Sequence, residues 1–183
     1  SVSAPRADNA FAYVSPSYNG LNVLAMYALD GDHDKANDDL TALGLGGYDK
    51  YGVGFKYEPT SQPYRLGATY IGIGSDLVKD IRVSGAYDVN PALTVGALYQ
   101  VLDIKDADKK ENALALSGSY KTATPWTVYG QADLVKNVLG TDGEDKQRYV
   151  VGGKYAFNAA TTGHVYGAYL NQDYDNDSAK GYG

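Results

Sequence analysis

The stretch YGVGFKY, residues 51–57, alternates strictly between apolar side chains and glycine or lysine. Successive side chains of a β-strand point to opposite faces, so this period-two pattern predicts a strand with one apolar face. Tyr51 and Tyr57 stand at the two ends of that apolar face. A tyrosine combines an apolar ring with a polar hydroxyl and is most stable where hydrocarbon meets water. The stretch therefore predicts a strand whose two ends lie at such interfaces.

The same alternation recurs along the whole chain of 183 residues. It predicts ten strands, at 8–15, 21–29, 49–58, 64–73, 81–89, 93–102, 112–121, 126–135, 148–157 and 164–170. No amphipathic helix of useful length competes with these strands, and no apolar run reaches the roughly eighteen residues of a transmembrane helix. The predicted fold class is all-β, a transmembrane antiparallel β-barrel.

The chain contains 18 tyrosines. Most of its aromatic residues lie at the ends of the predicted strands. Beside the short connections stand Tyr13, Tyr57, Tyr64, Tyr87, Tyr120, Trp126, Tyr155 and Phe157. Toward the acidic connections stand Tyr27, Tyr51, Tyr70, Tyr99, Tyr149 and Tyr169. Two rows of aromatic rings flanking an apolar band are typical of outer-membrane barrels. A soluble barrel buries its apolar face and gains nothing from hydroxyls at both rims.

The face opposite the aromatic rows is predicted to line a polar lumen. Its charged and amide side chains are Arg6, Asp8, Lys56, Arg65, Arg82, Asp88, Lys121, Gln131, Asp133 and Lys154. Charges along a pore raise the local concentration of counter-ions and so set ion preference. Because basic groups are in excess on this face, we expect a weak preference for anions.

The connections between the predicted strands alternate in character. Residues 15–20, 59–63, 90–92, 122–125 and 158–163 are short, whereas 30–47, 74–80, 103–111 and 136–147 are longer on average and acidic. Outer-membrane barrels show this asymmetry, with short periplasmic turns and longer extracellular loops.

Composition excludes several other functions. The net charge of −6 argues against nucleic acid as a partner, and the absence of cysteine argues against disulfides and thiolate sites. The acidic run Asp30–Asp34 fails as a calcium loop, because Lys35 and Thr41 stand where glycine and glutamate are required. Neither His33 nor His164 has a serine and an aspartate at a spacing that indicates a catalytic triad. We therefore expect no metal, no cofactor and no catalytic residue.

Residues 6–20, RADNAFAYVSPSYNG, resemble the R-x-x-N-x-x-x-Y-x-S-P-x-[FY]-x-G segment of general diffusion porins of Gram-negative bacteria, the neisserial and β-proteobacterial type. Further similarity to that family lies in residues 21–29, 51–57, 126–132 and 151–156. The resemblance thus covers most of the chain.

The resemblance implies a sixteen-stranded, homotrimeric channel of the bacterial outer membrane, in contact with lipid and lipopolysaccharide. Ions and small hydrophilic solutes would pass through it by passive diffusion. It further implies that residues 1–183 form a single porin-type domain holding the sixth to fifteenth strands. The N-terminal strands, the constriction loop and the final strand would be missing, and residues 171–183 would begin the last extracellular loop.

Three alternatives stay open at this point. The chain could belong to an outer-membrane barrel with a plugged lumen, which acts as a binding, adhesion or structural protein through its acidic loops. It could belong to an outer-membrane hydrolase, although no serine and histidine are placed for that. A soluble all-β binding protein is the third alternative. Ion conductance in a planar bilayer separates a channel from the first two, and extraction into buffer without detergent would establish the third.

Overall fold

A computed structural model of the chain describes residues 10–29, 48–74, 76–174 and 177–182. They form one antiparallel sheet of 11 strands, in which every strand pairs with its neighbours along the chain. The strands are β1 (Ala10–Val14), β2 (Leu21–Ala28), β3 (Lys50–Tyr57), β4 (Tyr64–Ile73), β5 (Val78–Asp88), β6 (Leu93–Ile104), β7 (Glu111–Lys121), β8 (Trp126–Lys136), β9 (Asp145–Ala156), β10 (Thr162–Tyr174) and β11 (Asp177–Tyr182). The predicted all-β antiparallel class is confirmed.

All ten predicted strands are present, but several ends differ from the prediction. β5 begins at Val78, β9 begins at Asp145 and β10 continues to Tyr174. The apolar alternation stops short of these positions, whereas the ladder of backbone hydrogen bonds continues through charged residues. The connections predicted at 74–80 and 136–147 are correspondingly shorter.

The prediction that residues 171–183 begin a loop is wrong. Asn171 to Tyr174 continue β10, and Asp177–Tyr182 form β11, which pairs with β10 from Tyr174↔Asp177 to Tyr169↔Tyr182. The segment is polar and lacks the apolar face on which the strand prediction depends. Backbone pairing therefore extends the sheet where the side-chain pattern gives no signal.

Tight turns at one end of the sheet fix the register between strands. In the β1–β2 turn, Asn19 and Gly20 have positive φ values of 50° and 86°. A Cβ atom at Gly20 would stand 2.5 Å from the Glu58 carbonyl oxygen, so only glycine leaves room for the neighbouring turn. In the β5–β6 turn, the Asn90 side-chain oxygen accepts hydrogen bonds from the backbone N–H groups of Ala92 and Leu93, each at 2.9 Å.

The sheet has two chemically distinct faces. One carries Val53, Val83 and Val151, which are 53%, 54% and 71% exposed, and is called here the apolar face. The other carries Lys56 and Arg65 and is called the charged face. Within the described ranges, the only buried hydrophobic residues are Ala28, Ile73, Val78 and Leu102. A soluble domain hides its apolar surface, whereas this sheet exposes it.

The chain offers no helical route across a bilayer in its described part, since no helix there is long and apolar enough to span one. Among the described residues, the one helical element is the single 3₁₀ turn at Val138–Gly140.

Candidate functional site

The charged face gathers the residues that were predicted to line a pore. Strand register places on it Lys56, Arg65, Arg82, Asp88, Lys121, Gln131, Asp133 and Lys154. Arg6 and Asp8 lie outside the described residues. That these side chains line a pore stays a prediction, but their common face is set by the pairing of β3 to β9.

Arg65 and Asp88 form a bidentate ion pair between β4 and β5. The Arg65 Nη1 and Nη2 atoms donate to the two carboxylate oxygens of Asp88 at 2.8 and 2.9 Å. The Thr94 hydroxyl donates to Asp88 Oδ1 at 2.6 Å from β6. Paired N–H donors match the two oxygens of a carboxylate, so this pair is held in one geometry and lies along the wall. It links three strands near the short turns.

A second network links β8 and β9. Arg148 donates from Nε to Asp133 Oδ2 at 2.6 Å, and the Gln131 amide donates to Asp133 Oδ1 at 2.7 Å. Arg148 was absent from the predicted residues, although it has the same parity as Lys154 on β9. Its parity could have placed Arg148 on this face. However, Arg148 is the first residue of the predicted strand 148–157 and lies next to the acidic connection, so it was not counted.

Two acidic residues on this face were hidden from the sequence analysis. Asp80 is 6% exposed, and its Oδ2 atom forms an ion pair with Arg82 Nη2 at 2.7 Å. Glu111, 5% exposed, accepts a hydrogen bond at 2.8 Å from the backbone N–H of Leu139 in the 3₁₀ turn. Both positions fall in stretches predicted as loops, because their charge interrupts the apolar alternation.

Three lysines lie at the short-turn end of the charged face, and they differ in whether a carboxylate pairs with them. Lys56 forms an ion pair with Glu58 at 2.7 Å. Lys121 and Lys154 are exposed and make no hydrogen bond or ion pair with any residue in the described ranges. An open cavity of about 500 Å³ lies beside Lys121, with Arg65 and Asp88 in its lining. This end of the face therefore holds two lysines that have no direct ion-pair partner among the described residues, although the Asp88 carboxylate attracts Lys121 at longer range.

The predicted interface aromatics lie on or at the ends of the apolar face, where neighbouring rings contact one another. Ring centroids are 6.1 Å apart for Tyr57–Tyr64 and Tyr51–Tyr70, 5.0 Å for Trp126–Tyr155, 4.8 Å for Tyr155–Phe157 and 6.4 Å for Tyr149–Tyr169. At the loop end, the Tyr27 hydroxyl donates to Asp49 at 2.5 Å and the Tyr99 hydroxyl to Asn112 at 2.8 Å. Rings facing outward with satisfied hydroxyls fit a membrane interface, and that location stays a prediction.

Ion pairs also hold the connections at the loop end. Lys79 Nζ is 2.6 Å from Asp76 Oδ1, and this hydrogen bond, reinforced by the lysine charge, lowers the pKa of the Asp76 carboxyl below its ordinary value. Lys110 pairs with Asp103 at 2.7 Å. In the described part of the chain, no cluster of histidine, aspartate and glutamate could hold a metal ion. The acidic run Asp30–Asp34 falls outside that part.

An antiparallel sheet with an exposed apolar face, aromatic ends and a charged opposite face is the wall of a transmembrane β-barrel of the porin class. The chain belongs to the Gram-negative porin family, whose sequence model matches residues 1–177. Members of that family are β-barrel channels of the bacterial outer membrane and not enzymes. The resemblance found in the sequence is thereby confirmed.

Solved porin structures are similar in fold. The anion-selective porin from Comamonas acidovorans matches with a TM-score of 0.67 and 18% identity, over 91% of this chain and 49% of that one. A triple mutant of the Rhodopseudomonas blastica porin matches with a TM-score of 0.61 and 21% identity, over 94% and 52%. The chain thus spans about half the length of these porins. None of the curated protein sequences compared with the chain matches it significantly.

Proposed function

We propose that this chain forms part of the wall of a water-filled outer-membrane channel, through which ions and small hydrophilic solutes diffuse down their gradients. The observation that carries the proposal is the two-faced sheet. Its apolar face is exposed along every central strand, and its charged face holds arginine side chains in ion pairs along the wall. Charged residues inside a membrane are stable only where they meet water or one another. The charged face therefore lines the lumen, and no catalytic step or cofactor is required.

We further propose that the channel prefers anions weakly. Of the described residues on the charged face or at its edge, eight are basic and five acidic. The basic ones are Lys50, Lys56, Arg65, Arg82, Lys121, Lys146, Arg148 and Lys154, and the acidic ones are Glu58, Asp80, Asp88, Glu111 and Asp133. A positive wall raises the local concentration of anions in the lumen. The excess is small, so the preference is small.

A homotrimer in contact with lipid and lipopolysaccharide is the assembly proposed for the full-length protein. Its support is the family resemblance, together with the exposed apolar face, which needs lipid or another protomer to cover it. Migration of the unheated protein as a trimer on a denaturing gel would support this assembly. A monomer in mild detergent by analytical ultracentrifugation would contradict it.

The experiment is conductance of the full-length protein in a planar lipid bilayer. We expect stepwise insertions whose conductance rises in proportion to salt concentration, as for an aqueous pore. In a potassium chloride gradient, the reversal potential should be shifted from zero toward the equilibrium potential of chloride. Folded protein that inserts but carries no current would overturn the proposal and favour a barrel that binds partners through its loops. Strong cation preference would overturn only the anion preference.

A further inference from the structure

Four of the eight basic residues on the charged face form an ion pair with a carboxylate. The nitrogen-to-oxygen distances are 2.7 Å for Lys56–Glu58, 2.8 Å for Arg65–Asp88, 2.7 Å for Arg82–Asp80 and 2.6 Å for Arg148–Asp133. A neutralised pair exerts little field on an ion at a distance. Such pairs shape the wall, but they offer an incoming anion little net attraction.

Lys121 and Lys154 are the exceptions at the short-turn end. Neither forms a hydrogen bond or an ion pair with a residue in the described ranges. Asp88 lines the same cavity as Lys121, but its two oxygens already accept hydrogen bonds from Arg65 and Thr94. Asp88 therefore attracts the Lys121 ammonium only at longer range, and the ammonium has no direct contact that would keep it from a mobile anion.

Strand register brings the two lysines together. Lys121 on β7 pairs with Thr127 on β8, and Thr127 pairs in turn with Lys154 on β9. Neighbouring strands lie about 4.8 Å apart, so the two lysine backbones are separated by about 10 Å on one face. Flexible side chains of this length can converge on one small anion, and the Thr127 hydroxyl between them is a further donor.

Open space adjoins the Lys121 end of this row. The cavity of about 500 Å³ beside Lys121 is bounded by the short turns at Pro63 and Asn90. A second cavity of about 280 Å³ shares Thr94 with the first and is lined by small residues such as Gly96 and Ser117. A hydrated phosphate group therefore has room to approach Lys121 from the short-turn end.

We infer that Lys121, Thr127 and Lys154 form a binding site for small multiply charged anions, phosphate-bearing solutes in particular, at the short-turn mouth of the channel. The inference rests on the proposed function, since it requires the charged face to meet water. Two ammonium groups and a hydroxyl suit a polyanion better than chloride, because each phosphate oxygen accepts a charge-assisted hydrogen bond. The site retains such anions at one end of the lumen.

The test uses the full-length protein in planar bilayers with tripolyphosphate as the probe, added to each compartment in turn. We expect reversible block of the chloride current, stronger from the short-turn side. In the variant Lys121→Gln/Lys154→Gln, the blocking concentration should rise at least about tenfold, since two charge-assisted contacts are lost.

Lys146→Gln is the matched control. Lys146 lies on the same strand and face as Lys154, also makes no ion pair with a described residue, and stands at the loop end. Its replacement by glutamine changes the charge as Lys154→Gln does, yet should shift the blocking concentration less than about twofold, because it removes no contact of the site. Equal shifts in Lys146→Gln and Lys154→Gln would overturn the site in favour of a general effect of lumen charge. Unchanged block in the double variant would overturn it as well.

Phosphorus NMR titration of tripolyphosphate against the detergent-solubilised full-length protein gives a readout without current. One outcome is that the protein binds tripolyphosphate, the double variant does not, and the protein carries no current. That outcome would overturn the channel and leave the site standing. Normal conductance with binding unchanged in the double variant would overturn the site and leave the channel standing.

Discussion

At the scale of single residues, close packing on the charged face depends on glycine. Gly152 lies opposite Tyr129 in the β8–β9 pair, and a Cβ atom there would stand 2.5 Å from the ring carbon Cζ. The Val165 carbonyl oxygen would lie 2.8 Å away on the other side. A strand glycine in such a place allows a neighbouring ring to lie directly against the backbone. At Gly118, by contrast, no atom lies within 4 Å of such a Cβ.

Gly152→Ala should destabilise the folded full-length protein by about 1–3 kcal/mol, because both the Tyr129 ring and the β10 backbone must shift. Gly118→Ala, which meets open space, should change the stability by less than about 0.5 kcal/mol. The measurement is the free energy of unfolding in urea, in detergent micelles. Equal stabilities for the two variants would show that the Tyr129 ring does not rest on Gly152.

At the scale of strands, function depends on strict alternation between two environments. Val150 and Val151 are adjacent on β9, yet Val150 lines a cavity on the charged face while Val151 is 71% exposed on the apolar face. The same alternation was visible in the sequence from residue 149 to 155, since period two fixes the side of every residue once one is known. Strand ends were less predictable, because Asp145 and Val78 continue ladders beyond the apolar pattern.

Spin labels on β9 should report the two environments separately. In the full-length protein in lipid, a label at Val151→Cys should collide with oxygen, which concentrates in hydrocarbon. A label at Val150→Cys should collide with a water-soluble nickel chelate, since its face meets the lumen. Power-saturation electron paramagnetic resonance measures both. The reverse pattern, or two labels that report the same phase, would contradict the assignment of the faces.

At the scale of the molecule, the sheet is open. β1 pairs only with β2 and β11 only with β10, so each leaves one row of backbone groups without a strand partner among the described residues. In hydrocarbon such groups cost several kcal/mol each, and a spanning sheet must therefore close. These two edges therefore need strand partners in the membrane.

The 183-residue chain refolded by itself should therefore fail to give a compact monomeric barrel, whereas the full-length protein should give one. Barrels that close retain compact, faster migration on a gel until they are heated, and we expect this shift only for the full-length protein. A heat-dependent shift of the 183-residue monomer would mean that its own strands can close, contrary to the predicted sixteen-stranded barrel.

The sequence by itself determined the strands and their faces, because alternation and the aromatic ends are local patterns that side-chain chemistry imposes. It also carried the family resemblance. Only the tertiary structure decided which charges neutralise one another. Arg65 meets Asp88 and Asp133 meets Arg148 through turn lengths and register, which the composition of a strand does not encode. The same register leaves Lys121 and Lys154 on one row without a direct ion-pair partner among the described residues. It also buries Asp80 and Glu111 where the sequence predicted loops.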